Sequence, residues 1–399
     1  MDAVYAEAWG GNRSAAPGVS GMRLGWVLDA MVKDHWKAGE GVSGVGANGA
    51  ARLVLRTVAR WVDGMLGGGA MEFANTVRLT LIPKAAGGYW PIGVGEALVG
   101  IAKRVAKTAM MVPATAWLAE RGQWGTATDG ARRLAHVVSA GWEAGWHVTA
   151  VDVKNAFNCV NRSAVVDVVS DVCADVAPFV SLCLQPTTLV VGEEATKVVV
   201  NRGVVQGDPL SPVLFSLVMG RVCERVVDVC SARGVSVGLI KDGSERRVID
   251  ALGGRGGGGE EREGVEVWVG AYADDVSVVW RSRSAVTTVV SVLRDVLADV
   301  GLEVSVGKCV MVAGDGGDGA MVAATAADLG MRTDEAVSVL GVPVGNVDVC
   351  RALMRDALAD AVARTRLVWS LGRPTAEVAV QRCAGLVHQL RWRLEAVQA

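Results

Sequence analysis

The chain has 399 residues, 51% of them hydrophobic, and a formal net charge of −2. That length allows two or three domains and that apolar content allows a sizeable core. The near-neutral balance excludes a protein that grips nucleic acid by bulk positive charge, so any such contact must come from local basic patches.

Eight cysteines form no CxxC pair, and no basic-then-apolar leader opens the chain. Charge, Pro or polar residues break each apolar stretch before about 18 residues, so no membrane span is expected. Zinc fingers and a secretory leader are set aside as well. The cysteines read as buried thiols in a reducing compartment, hence an intracellular protein. Residues 1–20 are rich in Gly, Ala and Ser and are expected to be loosely ordered. Pro17, Gly18 and Gly21 precede a helix expected over 24–36, and a Gly-rich connector follows over 38–50. A second helix is expected over 51–66, ended by Gly67–Gly69.

Residues 77–83 (VRLTLIP) alternate as a strand, and a second short strand runs over 89–94 after a Gly87–Gly88 turn. Lys84 therefore sits near a hairpin tip, where it either faces solvent or meets a triphosphate. A helix over 95–120 carries Lys103, Arg104 and Lys107. Residues 121–130 read as a polar loop and 132–145 as a helix, with His136 a packed or surface residue. Residues 147–153 (HVTAVDV) are an apolar, β-branched strand that delivers Asp152 at its end. A carboxylate there reads as a metal ligand more readily than as a surface charge. Residues 162–184 read as one helix, and 187–191 with 195–201 as a hairpin turning at 192–194.

The stretch 202–216 (RGVVQGDPLSPVLFS) makes a tight loop from Gly203, Gly207 and Pro209, and Asp208 or Ser211 can cap the helix that follows to about residue 229. Gln206–Gly207 can bring a side-chain amide and bare backbone close to a ligand, or form a plain loop-to-helix junction. Residues 250–264 are a Gly and charge insert, read as a flexible loop without chemistry. Residues 268–280 (WVGAYADDVSVVW) then read as a β-hairpin with Asp274–Asp275 at its tip. Adjacent acids beside so much apolar surface need a neutralising cation, for which a divalent metal that also holds phosphates is the natural candidate. A solvated acidic turn is the bland alternative.

An amphipathic helix is expected over 284–300, and a short strand over 301–312 that turns at Gly307 before Lys308 and Cys309. Residues 313–330 read as a Gly-rich loop and a small-residue stretch, and 337–344 as one strand bent at Gly341–Pro343. From Arg351 a helical segment is basic through Arg364, Arg366, Arg382, Arg391 and Arg393. No internal repeat is found.

Taken together, the ordered motifs resemble the reverse transcriptase domain of non-LTR retrotransposons, with relatives among group II intron polymerases. LIPKAAGGYWPI (81–92) looks like the fingers hairpin of that family, followed by the similar VGEALVGIAKR. VDVKNAFN (151–158), GVVQGDPLSPVLFS (203–216), AYADDV (271–276), GLEVSVGKC (301–309) and VLGVPVG (339–345) resemble five successive palm motifs. The resemblance spans roughly residues 15–395 and implies an α+β right-hand polymerase fold. Its expected division is an N-terminal helical extension over 1–70, fingers over 71–150, a palm over 151–345 and the start of a truncated thumb over 346–399.

By residue, the resemblance implies that Asp152, Asp274 and Asp275 are the catalytic carboxylates, with Val153 beside them in the metal set. They would serve two Mg²⁺ ions, with Mn²⁺ as the alternative. Phe157 matches the steric gate against a ribose 2′-hydroxyl, Gln206 and Gly207 the nucleotide pocket, and Lys84 the fingers lysine facing the triphosphate. Lys308 matches a proton donor to pyrophosphate, and Leu340 with Gly341 the primer-holding bend. The implied partners are an RNA template, a DNA primer or target, dNTPs, and further domains or proteins that supply an endonuclease. The nucleus is the implied site for an active eukaryotic element.

One departure stands out. Where the family usually has an arginine before Pro-Ile, this chain has Trp90, which lacks the bidentate fork. Arg78, Lys103 and Arg104 are the candidate substitutes. Trp90 leaves a non-catalytic relic that only folds and binds nucleic acid as the competing reading. Phe157 weighs against a third, an RNA-directed RNA polymerase.

Overall fold

The structure is a computed structural model that describes residues 6–7, 10–11, 13, 15–37, 49–65, 67–84, 87–192, 194–253 and 265–369. The 38–48 connector, most of the 250–264 insert, and Arg382, Arg391 and Arg393 lie outside the described residues. The chain divides into two units. One comprises Met1–Leu118, Asn155–Arg221 and Asp299–Leu302; the other comprises Ala119–Lys154, Val222–Ala298 and Glu303–Ala399.

The first unit starts with helices α1 (Leu24–Lys37), α2 (Ala50–Val62) and α3 (Gly68–Ala74). The expected stop at Gly67–Gly69 is therefore corrected: α2 ends at Asp63 and Gly64, whose φ is +78°, and Gly67 instead begins α3. Strands β1 (Thr76–Pro83) and β2 (Tyr89–Val94) form the expected hairpin. Helix α4 (Ala97–Ala119) follows, and after the chain returns come α6 (Ala156–Cys159), α7 (Arg162–Val172), α8 (Ala177–Cys183), β4 (Thr187–Val191) and β5 (Thr196–Val200). The helix expected over 162–184 is broken at Cys173, because Pro178 has no N–H to donate in a helix interior and instead sits in the first turn of α8. The sheet order is β2-β1-β4-β5, with β1 parallel to β4 and both end pairs antiparallel.

A buried ion pair lies in this unit. Lys103 of α4 is 6% exposed, and its Nζ pairs with Asp208 Oδ2. Burial alone would lower the lysine pKa, but the adjacent Asp208 carboxylate reverses this and the net shift is upward. The other Asp208 oxygen accepts from Leu210 N–H at 2.9 Å, ahead of helix α9 (Ser211–Ala232). Removing one partner of such a pair leaves an uncompensated buried charge, worth about 3–5 kcal/mol. Lys103→Met is expected to lose that amount in urea denaturation. Lys103→Met/Asp208→Asn, which keeps the Leu210 bond, is expected to recover most of it. Equal losses in the single and double variants would contradict this account.

In the second unit, α5 (Gly130–Glu143) precedes β3 (His147–Val151), and β6 (Val237–Leu239) and α10 (Glu245–Ala251) follow α9. The hairpin β7 (Val267–Tyr272) and β8 (Asp275–Trp280) comes next, then α11 (Arg283–Asp299) and β9 (Val310–Val312). Helix α12 (Gly319–Leu329), β10 (Arg332–Thr333), β11 (Ala336–Val339), β12 (Val342–Gly345) and α13 (Val347–Trp369) complete it. The sheet order is β10-β9-β3-β8-β7-β6. Strand β3 lies between β8 and β9, and packing against the faces of the sheet buries four of its five residues, which accounts for its largely apolar sequence.

Two polar side chains of β3 are satisfied. Thr149 Oγ1 accepts from Trp280 Nε1 at 2.9 Å, and His147 Nδ1 accepts from Gly314 N–H at 3.1 Å. The faces of the sheet are covered by Trp124, Leu134 and Trp146 among others, and α11 buries Val286, Val289, Val290, Leu293 and Val296 at helical spacing. One expectation is extended here and another is corrected. The small-residue stretch forms α12, capped by Asp318, which accepts from Met321 N–H at 3.0 Å, and closed by Gly330 at φ +70°. Residues 337–344 are a two-strand hairpin rather than one bent strand. No helix among the described residues is long and apolar enough to cross a membrane.

Candidate active site

The acids are brought together by strand register. Val151 pairs with Val276, so one further step along the antiparallel ladder sets Asp152 level with Asp275. Strands β7 and β8 join through Ala273 and Asp274, with Tyr272 paired to Asp275. Beyond β3, the Asp152 carbonyl accepts from Ser305 N–H at 2.8 Å, and Val153 bridges Val304. Lys154 N–H donates to Glu303 at 2.8 Å. The end of β3 is thereby fixed on the other side by the segment that carries Lys308.

Electrostatics set this cluster apart from a solvated turn. Burial, and then the negative charges of Asp274 and Asp152, push the Asp275 carboxyl up to about 6. Burial also raises Asp274, partly offset by a backbone hydrogen bond and reinforced by Asp152. Asp152 Oδ2 is buried without a hydrogen-bond partner, and Lys308 Nζ stands 3.7 Å away. Among the described residues no three His, Cys, Asp or Glu side chains form a ready-made ion cage. Even so, an orphaned carboxylate oxygen beside two acids that resist ionisation fits a divalent cation, whose charge relieves each of these defects and whose remaining ligands come from water and phosphate.

The remaining expected site residues fall in both units. Lys308, 72% exposed at its side chain, faces Asp152 as described. Leu340 and Gly341 form the two-residue loop of the β11–β12 hairpin at φ +53° and +86°, the pattern of a tight hairpin turn. Phe157, Gln206, Gly207 and Lys84 belong to the first unit. There the Phe157 ring stacks on Phe215 with centroids 4.6 Å apart, and its carbonyl accepts from Val204 N–H at 2.7 Å. The Gln206 carbonyl accepts from Gly93 N–H at 2.7 Å. Gly207 has φ +97°, and a Cβ there would lie 2.8 Å from the Gly93 carbonyl oxygen, so the close approach of loop and hairpin requires glycine. Lys84 Nζ lies 5.6 Å from the Trp90 ring centroid.

A sequence model of the family described as reverse transcriptase (RNA-dependent DNA polymerase) matches residues 97–344, well over half the chain. The chain belongs to the reverse transcriptase family. Its mixed helices and sheets are those of a right-hand polymerase fold. Domains of this family use divalent metal ions.

No curated protein matches the chain. Among solved structures, telomerase from Candida albicans, in complex with a fragment of telomeric RNA, is 11% identical with a TM-score of 0.44, covering 74% of this chain and 48% of that one. Apo telomerase from Candida tropicalis is 12% identical with a TM-score of 0.45, covering 68% and 47%. The reverse transcriptase chain thus spans about half the length of these two distant matches.

Two residues at the site escape motif reasoning. Cys309, fully buried, accepts the Asp152 N–H on its Sγ at 3.4 Å. Gln123, in the segment read as a polar loop, is 1% exposed and bonds to the main chain of Ala273. Nothing in the local sequence announces either contact; the one available signal is a Gln between Gly122 and Trp124 at the edge of an apolar helix.

Proposed function

We propose that the chain is an RNA-directed DNA polymerase of a non-LTR retrotransposable element, transferring nucleotides from dNTPs to a primer 3′-hydroxyl on an RNA template. The observation that carries this reading is the meeting of Asp152, Asp274 and Asp275, with one buried carboxylate oxygen that accepts no hydrogen bond and has only the Lys308 ammonium 3.7 Å away. Asp152 and Asp274, with Val153, would hold two divalent ions, Mg²⁺ first and Mn²⁺ as the alternative, and Asp275 supports them. When bound, such ions lower the pKa of the attacking hydroxyl and offset the charge of the departing pyrophosphate.

The residues of the chain supply the rest. Lys308 Nζ, exposed beside Asp152, can give a proton to pyrophosphate. Leu340 and Gly341 hold the primer strand on a tight turn. Gln206 and Gly207 line the nucleotide pocket, and Lys84 meets the triphosphate. The six-stranded sheet, whose strand β3 begins at His147 just ahead of the 151–345 span, serves as the palm, the β1–β2 hairpin as fingers within 71–150, and α13 as the start of the thumb within 346–399. An endonuclease supplied by other domains or proteins provides the primer nick, in the nucleus if the element is an active eukaryotic one.

Phe157 tests the substrate class. Its ring stacks on buried Phe215 with centroids 4.6 Å apart, which braces it as a wall. Wild type is expected to extend a primer on RNA with dNTPs and to discriminate against rNTPs. Phe157→Ala should cut that discrimination about 100-fold or more, since removing a steric clash of roughly 3 kcal/mol is worth that factor. Unchanged discrimination in a folded variant would sink the gate assignment. The relic reading is favoured by Trp90 and is supported instead if folded wild type binds RNA yet extends nothing.

A further inference from the structure

The residue before the acid pair is held from outside its own hairpin. Ala273 is the first of the two loop residues between β7 and β8, and its φ is +50°. L side chains rarely take this conformation, and hairpin loops of this length favour Gly, Asn or Asp there. An alanine does not hold such a turn by its own preference.

Gln123 supplies the missing constraint. Its amide nitrogen donates to the Ala273 carbonyl at 3.1 Å, and its amide oxygen accepts from Ala273 N–H at 2.9 Å. The same oxygen accepts from Gly125 N–H at 2.9 Å. Only one orientation of the amide gives a donor to the carbonyl and an acceptor to the N–H groups. With Gln123 1% exposed, both bonds are shielded from water.

The segment behind it is equally fixed. Gln123 bridges Ala271 in parallel, Trp124 N–H donates to the Ala271 carbonyl at 2.7 Å, and Ala271 N–H donates to Gly122 at 2.8 Å. The buried Trp124 indole donates to the Ile240 carbonyl at 2.7 Å, and Arg133 lies over its ring. The side-chain amide therefore continues a backbone ladder one step past the last strand pair, onto the strained residue.

We infer that Gln123 is a positioning residue for the acid pair. It acts through Ala273 rather than on substrate, holding the left-handed turn and so fixing where Asp274 and Asp275 present their carboxylates to a divalent ion. This rests on the polymerase reading above only for its consequence in catalysis. A merely structural role would lower the melting temperature and leave metal affinity and the exposure of the turn unchanged.

The full chain tests this with Gln123→Met, which removes the side-chain bonds to Ala273 and Gly125 at similar length, and with Gln123→Glu, which keeps the acceptor for the N–H groups but sets a carboxylate oxygen against the Ala273 carbonyl. Amide hydrogen exchange at 273–275 is followed without metal, and Mn²⁺ affinity by spin-resonance titration. In Gln123→Met the turn is expected to exchange at least about tenfold faster, and Mn²⁺ to bind about 10–100-fold more weakly, as for other residues that orient metal ligands. In primer extension kcat should fall by a similar factor, with the KM for dNTP nearly unchanged. Gln123→Glu should show a smaller rise in exchange, because both N–H groups keep their acceptor, and Ala273→Gly added to Gln123→Met should restore part, because glycine takes positive φ without strain.

Unchanged exchange and unchanged Mn²⁺ affinity in a folded Gln123→Met chain overturn the inference. If Gln123→Met does not fold, the same null result in Gln123→Glu overturns it. A wild type that binds Mn²⁺ here but never extends a primer sinks the polymerase reading, while exchange and affinity still decide the role of Gln123.

Discussion

Replacing Asp275 with Asn is expected to raise the stability of the metal-free chain and lower its activity. Asp275 titrates at about 6 in the fold, above its ordinary 3.8, because burial and the charges of Asp274 and Asp152 oppose its ionisation. The fold therefore binds this proton more tightly than the unfolded chain does. The resulting stabilisation is complete below about 3.8 and is lost as pH rises through about 6. At pH 7.5 in EDTA the carboxylate is a liability that Asn removes.

Solvent reaches one side of Asp275, so the gain is discounted to about 1 kcal/mol, or roughly 2–4 °C in melting temperature. The advantage over wild type should shrink toward pH 4. Extension should fall about 10–100-fold in Asp275→Asn, as for loss of a supporting group. In Asp152→Asn it should fall at least about a thousandfold, or roughly 4 kcal/mol of barrier. Melting curves with and without Mg²⁺, set beside extension rates, check both halves. An Asp275→Asn chain that melts lower than wild type in EDTA at pH 7.5 would contradict the electrostatic account.

Trp90→Arg is expected to lower the KM for dNTP about 10–100-fold. A charge-assisted contact to the triphosphate is worth about 1.5–3 kcal/mol, and Trp cannot make one. Trp90 is 47% exposed at the outer end of β2, so an arginine is accommodated there with little effect on stability. The substitutes offered by the sequence are mostly committed elsewhere. Lys103 is locked in its buried pair with Asp208, and Arg104 Nε donates to the Glu7 carbonyl at 3.3 Å, which leaves Arg78 of the three. Steady-state kinetics at varied dNTP decide the point. An unchanged KM would mean that the fingers hairpin does not meet the triphosphate through this position.

The parts of this molecule legible in the sequence are those whose cause is local. The apolar runs mark the strands of the β7–β8 hairpin, and turn chemistry marks the hairpin around Lys84. The β7–β8 loop nevertheless falls at Ala273–Asp274, one residue before the expected acid pair, and the apolar run of β3 marks a buried strand. The meeting of Asp152 with the acid pair is legible only through the motif pattern, because nothing local sets the register between β3 and β8.

The contacts with no local signal depend on distant partners. The Gln123 amide binds the backbone of Ala273, 150 residues away, so its own neighbourhood reads as an ordinary polar loop. Lys103 looks like a surface cation on α4 until Asp208 arrives from beyond β5. Helix α12 escaped because small residues carry little amphipathic signal, although the cap at Asp318 and Gly330 marked both of its ends. Pro178 was a readable signal that the 162–184 helix must break, and it was outweighed by the apolar spacing around it.

That these acids drive RNA-templated DNA synthesis, as proposed, is tested most directly by single-turnover extension of a primer on an RNA template with dNTPs and Mg²⁺, wild type beside Asp274→Asn. The account predicts extension by wild type and none above background in the variant. Equal extension by both would contradict it.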